Sequence, residues 1–163
     1  MKKVILTGIL FLFLAAGFVY ADHPDGFGIG VQGGISGAAG VGDYGGDLTL
    51  KLPDVDIFWT VGAALYPGYF GVTVAGDWYF VDAVIIDSWL NGYVGVGAGA
   101  HIGLGDTLGL AAAARLPLGL SFQPVELLEI YLQIVPQIGL SILPGVGLWG
   151  NFWSGNLGVR LWF

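Results

Sequence analysis

Apolar residues recur at every second position along most of this chain, which is the period of a β-strand with one apolar face. The chain is also 55% hydrophobic and only 10% charged, with a mean hydropathy of +0.78, so it is too apolar for an ordinary soluble domain. Lipid leaves only helices and closed barrels as spanning structures, because every backbone polar group must be satisfied internally there. The remaining question is which of the two this sequence favours.

Two uncharged runs are long enough to suggest membrane helices, residues 57–76 and 130–159. The first is interrupted at its centre by Tyr66-Pro67-Gly68-Tyr69, and the second contains Pro136, Pro144 and six glycines. Proline and glycine weaken or break helices. The alternation therefore predicts strands.

Turn residues divide the alternating sequence into eight segments. They are approximately 27–35, 48–52, 56–66, 69–80, 89–102, 107–122, 127–142, and a last segment that follows Pro144-Gly145 and ends at Phe163. An even number of strands, most of them near the roughly 9–11 residues that cross a bilayer, is typical of outer-membrane proteins. We predict an all-β fold, an eight-stranded antiparallel up-and-down transmembrane β-barrel. A soluble sandwich or lipocalin-like barrel is disfavoured, because its outward faces should be polar.

Residues 1–21 have the pattern of a secretory signal peptide, with Lys2 and Lys3 before an apolar run and Val19-Tyr20-Ala21 at the exit. We expect cleavage after Ala21 and a single barrel domain over residues 22–163; a membrane anchor helix is the alternative. The mature chain would have a net charge of about −9, since the formal charge of −7 includes both lysines. Such a charge disfavours nucleic-acid binding. The absence of cysteine excludes lipid modification and disulfides.

Charged side chains also fall on the inward side of the predicted strands. They are Lys51, Asp77, Arg115, Glu129 and Arg160. We predict a lumen ion-pair cluster, with Glu129 and Arg160 paired because their strands are neighbours, and with Lys51 and Asp77 near the same end. A charge removed from bulk water needs a partner, so a structural role is favoured over a gate or conduction path. The other inward residues are small, and they either leave a thin cavity or admit bulky neighbours.

The motifs for chemistry are weak. Residues 28–33, GIGVQG, have the spacing of a dinucleotide-binding turn but lie inside the first predicted strand. Two histidines without cysteine make no metal-ligand set, so we expect no cofactor. His101, Ser141 and Asp106 offer the residue types of a hydrolase at the outer rim, but their strands are not neighbours. We predict that the protein is not an enzyme.

Three stretches resemble a known group of proteins. They are GDWYFVDAVIIDSWLNGYVGVGAGAHIG, ARLPLGLSFQPVELLEIYLQIVPQIGLSILP and the closing GVRLWF. This half of the chain resembles the small outer-membrane barrels of OmpA/OmpW-like type, most closely their short spirochaetal members. The ending, with Leu157, Val159, Leu161 and Phe163, is similar to the signal that the outer-membrane assembly machinery recognises.

The resemblance implies an integral protein of the cell outer membrane that contacts outer-membrane lipid and exposes four loops. Members of that group act as structural barrels, as surface proteins that contact host factors, or as narrow channels. The longest expected loop, Ser36 to Gly46, is the candidate for host or surface ligands. We therefore expect a structural or surface-interaction role; the alternative is a narrow channel for small or apolar solutes.

Overall fold

The computed structural model describes residues 23–37, 43–66, 69–87, 89–149 and 151–163. Ten strands lie in these ranges: β1 (Gly28–Gly37), β2 (Asp43–Lys51), β3 (Phe58–Tyr66), β4 (Tyr69–Ile86), β5 (Leu90–Gly105), β6 (Gly109–Arg115), β7 (Leu118–Val125), β8 (Leu128–Leu143), β9 (Gly147–Leu148) and β10 (Trp153–Trp162). The described ranges contain no helix of the length and apolar character needed to cross a membrane.

The ten strands make a closed antiparallel ring of eight. Strands β6 and β7 form one barrel strand between β5 and β8, interrupted at Leu116 and Pro117, where proline has no N–H to donate. The two-residue strand β9 precedes β10 in the chain and pairs with the C-terminal end of β8. The ring closes because β10 pairs with β8 on one side and with β1 on the other. The predicted eight-stranded antiparallel barrel is confirmed.

The outward face of the barrel is apolar. Along β8, Leu132 is 55% exposed, Ile134 57% and Ile138 66%, whereas the intervening Glu129 is fully buried. Large aromatic side chains are exposed towards both ends of the strands: Phe70, Trp78, Phe80, Phe122, Trp153 and Phe163. The polar groups of β8 thus face the lumen.

We call the end of the barrel that contains residues 23–27 and Phe163 the terminal end, and the opposite end, with residues 106–108 and 144–146, the distal end. The predicted signal peptide, residues 1–21, lies outside the described residues and stays a prediction.

Residues 81–88, VDAVIIDS, lie between the predicted segments 69–80 and 89–102 and are expected to be a linker. This prediction is wrong for most of the stretch, because β4 continues to Ile86. Its pairing with β5 shifts register between Tyr79 and Val81, and again between Val84 and Ile86. A β-bulge inserts one extra residue and changes which side chains face inward. As a result Tyr79 and Asp82, three residues apart, both face the lumen.

The predicted loop from Ser36 to Gly46 is largely strand. Ser36 pairs with Asp43, Gly34 with Gly45, and Gly33 with Gly46, so the second strand begins at 43 rather than at 48. Glycine lowers strand propensity, yet here the closed ladder on both sides of β1 fixes the backbone. Residues 38–42 of that loop lie outside the described residues.

Candidate functional site in the barrel lumen

Glu129 on β8 is the centre of a hydrogen-bonded group inside the terminal half of the barrel. Its Oε2 accepts from Arg160 Nη1 at 2.8 Å and from Trp162 Nε1 at 2.9 Å. Its Oε1 accepts from Ser121 Oγ at 2.9 Å and contacts His23 Nε2 at 3.2 Å. A carboxylate has about four acceptor sites, so these partners saturate it.

Arg160 reaches Glu129 because the two residues are direct partners in the β8–β10 register. The structure places this predicted pair together, with both side chains buried. The guanidinium also lies over three aromatic rings, 4.8 Å from the centroids of Phe58 and Tyr131 and 5.5 Å from that of Trp162. Cation–π contacts of this kind gain strength where water is excluded. Arg160 is thus held by one carboxylate and by flat aromatic surfaces.

His23 completes this group from outside the strands. Its ring Nδ1 bonds Asp82 Oδ2, its Nε2 faces Glu129, and its backbone N–H donates to Asp82 Oδ2 at 2.9 Å. A neutral imidazole has one donor and one acceptor, but both of these partners accept, so the ring is an imidazolium. Burial alone would lower the pKa of His23; the hydrogen bonds to Asp82 and Glu129 outweigh it and raise the pKa to about 9.

Sequence reasoning missed both His23 and Asp82. His23 precedes the first strand, and nothing in its neighbourhood indicates that it enters the lumen. Asp82 lies in the stretch predicted as a linker, and in the structure the alternation of faces changes after Tyr79. The break in alternation is itself the signal of a bulge, and it could have indicated the change of face.

A second polar layer lies beside the first and crosses the barrel. Tyr131 Oη donates to Gln32 Oε1 at 2.9 Å, and Gln133 Nε2 donates to the same oxygen at 3.3 Å. Tyr93 Oη donates to Gln133 Oε1 at 3.1 Å, and Gln32 Nε2 donates to Asp47 Oδ2 at 2.7 Å. These bonds join β1, β2, β5 and β8, so side chains fill the lumen across its width.

Asp77 and Arg115 form a separate ion pair, and the prediction of one cluster is wrong in this respect. Arg115 Nε and Nη2 each lie 3.0 Å from an oxygen of Asp77, the bidentate geometry that favours arginine. Asp77 and Arg115 are both register partners of Gly97, one on each side of β5. A Cβ at Gly97 would overlap Asp77 Oδ1, so the pair requires a glycine there. Asp77 lies near the middle of β4, not at its end, because β4 is longer than predicted.

Lys51 does not join the predicted cluster. Among the described residues, no carboxylate oxygen lies within 4.0 Å of its Nζ. The ammonium donates to Leu52 O at 3.2 Å and lies 5.9 Å from the Phe58 centroid. Lys51 is the last residue of β2, and its long side chain lines a cavity of about 400 Å³ at the terminal end. The cavity rather than an ion pair accommodates its charge.

The distal half contains the residues that resemble a hydrolase. His101, Asp106, Ser141 and Trp149 line an open cavity of about 440 Å³. His101 Nδ1 lies 3.1 Å from Thr73 Oγ1, whereas Ser141 Oγ donates to Leu143 O at 3.2 Å. In the strand register Ala111 separates His101 from Ser141, a spacing of about 10 Å. The hydrogen bonds of His101 and Ser141 direct the two side chains to different partners, so the geometry shows no nucleophile–base pair between them.

Comparisons with known proteins agree with the architecture. The chain resembles the crystal structure of Neisserial surface protein A (NspA), with a TM-score of 0.57 and 13% identity, over 84% of this chain and 97% of that one. It also resembles the N-terminal β-barrel domain of Pseudomonas aeruginosa OprF, with a TM-score of 0.50 and 19% identity, over 83% and 97% of the two chains. No curated protein sequence is significantly similar. A family model described as "Protein of unknown function (DUF3996)" matches residues 26–160.

Proposed function

The chain belongs to the DUF3996 family, and we propose that it is an integral outer-membrane β-barrel protein, closed to solutes, with a structural or surface-interaction role. The observation on which this rests is the lumen, which two connected hydrogen-bonded layers fill from wall to wall. An eight-stranded barrel is only wide enough for its own side chains. A filled lumen leaves the outer wall and the ends of the barrel as the working surfaces.

The membrane assignment is supported by three observations that come from different parts of the molecule. The outward face is apolar, the leader has the pattern of a signal peptide, and the fold is that of known outer-membrane barrels. The residues of the proposed assembly signal, Leu157, Val159, Leu161 and Phe163, are all exposed on the outer face. They are therefore accessible to lipid and to an assembly machinery.

The surface role is proposed from the distal end. The described parts of the stretch Ser36 to Gly46, residues 36–37 and 43–46, extend there as strands, and the open distal cavity adds a second surface at that end. The similar protein NspA is described as a surface protein. We also propose, from the three stretches within residues 76–103, 114–144 and 158–163, the relationship to short spirochaetal barrels. A host or surface ligand would contact this end.

The second candidate is a narrow channel, which the cavities at the two ends favour. They have volumes of about 440 and 400 Å³ and lie at opposite ends of the lumen. In this alternative, the polar layers between them would rearrange to admit small solutes. The Glu129 group would then act as a gate.

Conductance in a planar bilayer tests the proposal. A folded barrel changes its gel mobility on boiling, and refolded protein that shows this heat-modifiability should be used. It should give no steady current steps. Steady steps that change with Arg115→Gln or Arg160→Gln would support the channel instead. The heat-modifiability control shows that silence comes from a folded barrel.

A further inference from the structure

The His23 ring occupies a cage of aromatic side chains within the terminal half of the lumen. Its centroid lies 5.1 Å from that of Phe58, 5.5 Å from Tyr93, 5.6 Å from Tyr79 and 6.2 Å from Trp162. Tyr79 also stacks between Phe58 and Tyr93, at 4.2 and 4.4 Å. Aromatic cages of this type recognise organic cations in proteins.

Two carboxylates complete the cage and set its charge. Asp82 bonds one ring nitrogen of His23 and Glu129 faces the other, so the site offers acceptors on two sides of a flat ring. Glu129 is also neutralised by Arg160, whereas no arginine or lysine of the described residues lies within 4.0 Å of Asp82. Asp82 Oδ1 is buried and has no hydrogen-bond partner among the described residues. Without the imidazolium, the cage would hold one uncompensated negative charge.

His23 is connected to the first strand of the barrel by a short segment of chain. Four residues, 24–27, separate it from Gly28, and Phe27 and Phe163 close the sheet by exchanging backbone hydrogen bonds at 2.8 and 2.9 Å. With the predicted cleavage after Ala21, His23 would be the second residue of the mature chain. Residues 23–26 belong to no strand, so the ring could leave the lumen while the Phe27–Phe163 bonds stay in place, as a ligand on a tether would.

We propose that the terminal half of the lumen contains a binding site for a small planar organic cation, and that His23 occupies this site as a tethered imidazolium. The ligand class follows from the cage: a single positive charge, a flat ring or amidinium, and N–H donors on two edges. The charged and titratable groups that face the ring are Asp82, Glu129, Arg160, Tyr79 and Tyr93, and Asp25, Lys51 and Asp56 line the adjoining cavity. The site goes beyond the proposed function and does not depend on it.

Removal of the tethered ring and addition of the free ring test the site. In refolded His23→Gly protein at about pH 6, where most imidazole is protonated, imidazole should raise the unfolding midpoint saturably by several degrees. Pyrazole, a neutral ring of the same size, should not. Wild-type protein, whose cage is filled, should not respond to imidazole. The matched control is His101→Gly, which removes the other described histidine without emptying the cage.

Equal effects of imidazole and pyrazole, equal effects on the His101→Gly control, or no effect on His23→Gly would overturn the proposal. A measurement on the wild-type protein decides the matter if His23→Gly does not refold. In protein labelled with nitrogen-15 at histidine, NMR detects the rings of His23 and His101. The signals that disappear in His23→Gln are those of His23. The His23 ring should still carry both N–H protons at about pH 8, whereas titration near the ordinary pKa of about 6.5 would contradict a cation cage.

Discussion

The two halves of the lumen hold charge in opposite ways. In the terminal half, Glu129 has four partners and Arg160 lies against three aromatic rings, so side chains surround this pair and the cavity of about 400 Å³ lies beside it, towards Lys51. Where the distal half begins, near the middle of the strands, Arg115 and Asp77 form one buried bidentate pair, and Arg115 also lines a cavity. A buried charge is tolerated in a dry site only when all of its partners are present, whereas water substitutes for missing partners in an open one. We infer that the terminal half determines the stability of the barrel.

The size of the inward side chains explains this difference. Aromatic residues, Phe58, Tyr93, Tyr131 and Trp162, supply the volume of the terminal half. Small residues such as Gly103 and Ala111 line the distal cavity. The two outcomes that the sequence left open for small inward residues therefore both occur: Gly97 admits a larger neighbour, and Gly103 leaves space.

The largest expected effect comes from removing the centre of the terminal half. Glu129→Ala leaves Arg160 and His23 buried without their shared partner, and breaking such a pair costs about 3–5 kcal/mol of unfolding free energy. Urea unfolding of the barrel in lipid vesicles measures it. The control is Glu126→Ala, an exposed glutamate at the β7–β8 turn, which should change stability by less than about 0.5 kcal/mol. Similar values for the two variants would contradict the comparison.

The next effect is a dependence of stability on pH in the terminal half. The pKa of His23 is raised from 6.5 to about 9, so the folded state binds the proton more tightly than the unfolded state. This stabilisation is complete below about pH 6.5 and is lost as pH rises through about 9, an effect of up to roughly 3 kcal/mol. His23→Gln should flatten the profile over this window. Wild-type and variant profiles that run parallel would exclude a role for His23.

In the distal half, the same kind of substitution should cost less. Asp77→Asn removes the charge of a bidentate pair whose arginine lines a cavity, and we expect a loss of about 2 kcal/mol. A double-mutant cycle with Arg115→Gln isolates the coupling between the two side chains. A coupling energy as large as that of Glu129 and Arg160 would remove the distinction between the halves.

The smallest expected loss of stability comes from a substitution at Gly97, which tests whether crowding of Asp77 is its cause. Gly97→Ala forces Asp77 away from Arg115, and we expect a loss of about 1–2 kcal/mol from crowding and a weakened pair. Gly46→Ala, in β2, would bring its added Cβ no closer than 3.9 Å to Gln32 O; it is the matched control and should be nearly neutral. If Gly97→Ala costs the same in the Asp77→Ala background, Asp77 is not the residue that requires the glycine.

The sequence predicts contacts between side chains that lie on neighbouring strands and share the inward-facing set of alternate positions. Glu129 and Arg160 lie on adjacent strands with inward parity, and the structure places them in contact. The Asp77–Arg115 pair could not be predicted as readily, because it spans β5 and depends on two registers. The bulge after Tyr79, which turns Asp82 inward, changes parity locally. His23 lies before the first strand and contacts Asp82 and Glu129 through the tertiary fold, so the periodic pattern of the strands gives no indication of its position.

Hydrogen exchange of the tryptophan indole N–H groups tests most directly whether the terminal half is closed and dry. Trp162 Nε1 donates to Glu129 inside the filled layer, whereas Trp149 lines the open distal cavity. In refolded protein transferred to D2O, with both signals assigned by Trp→Phe variants, the Trp162 proton should persist far longer than that of Trp149. Equally rapid exchange at both positions would show that water enters the terminal half, and would contradict the closed lumen.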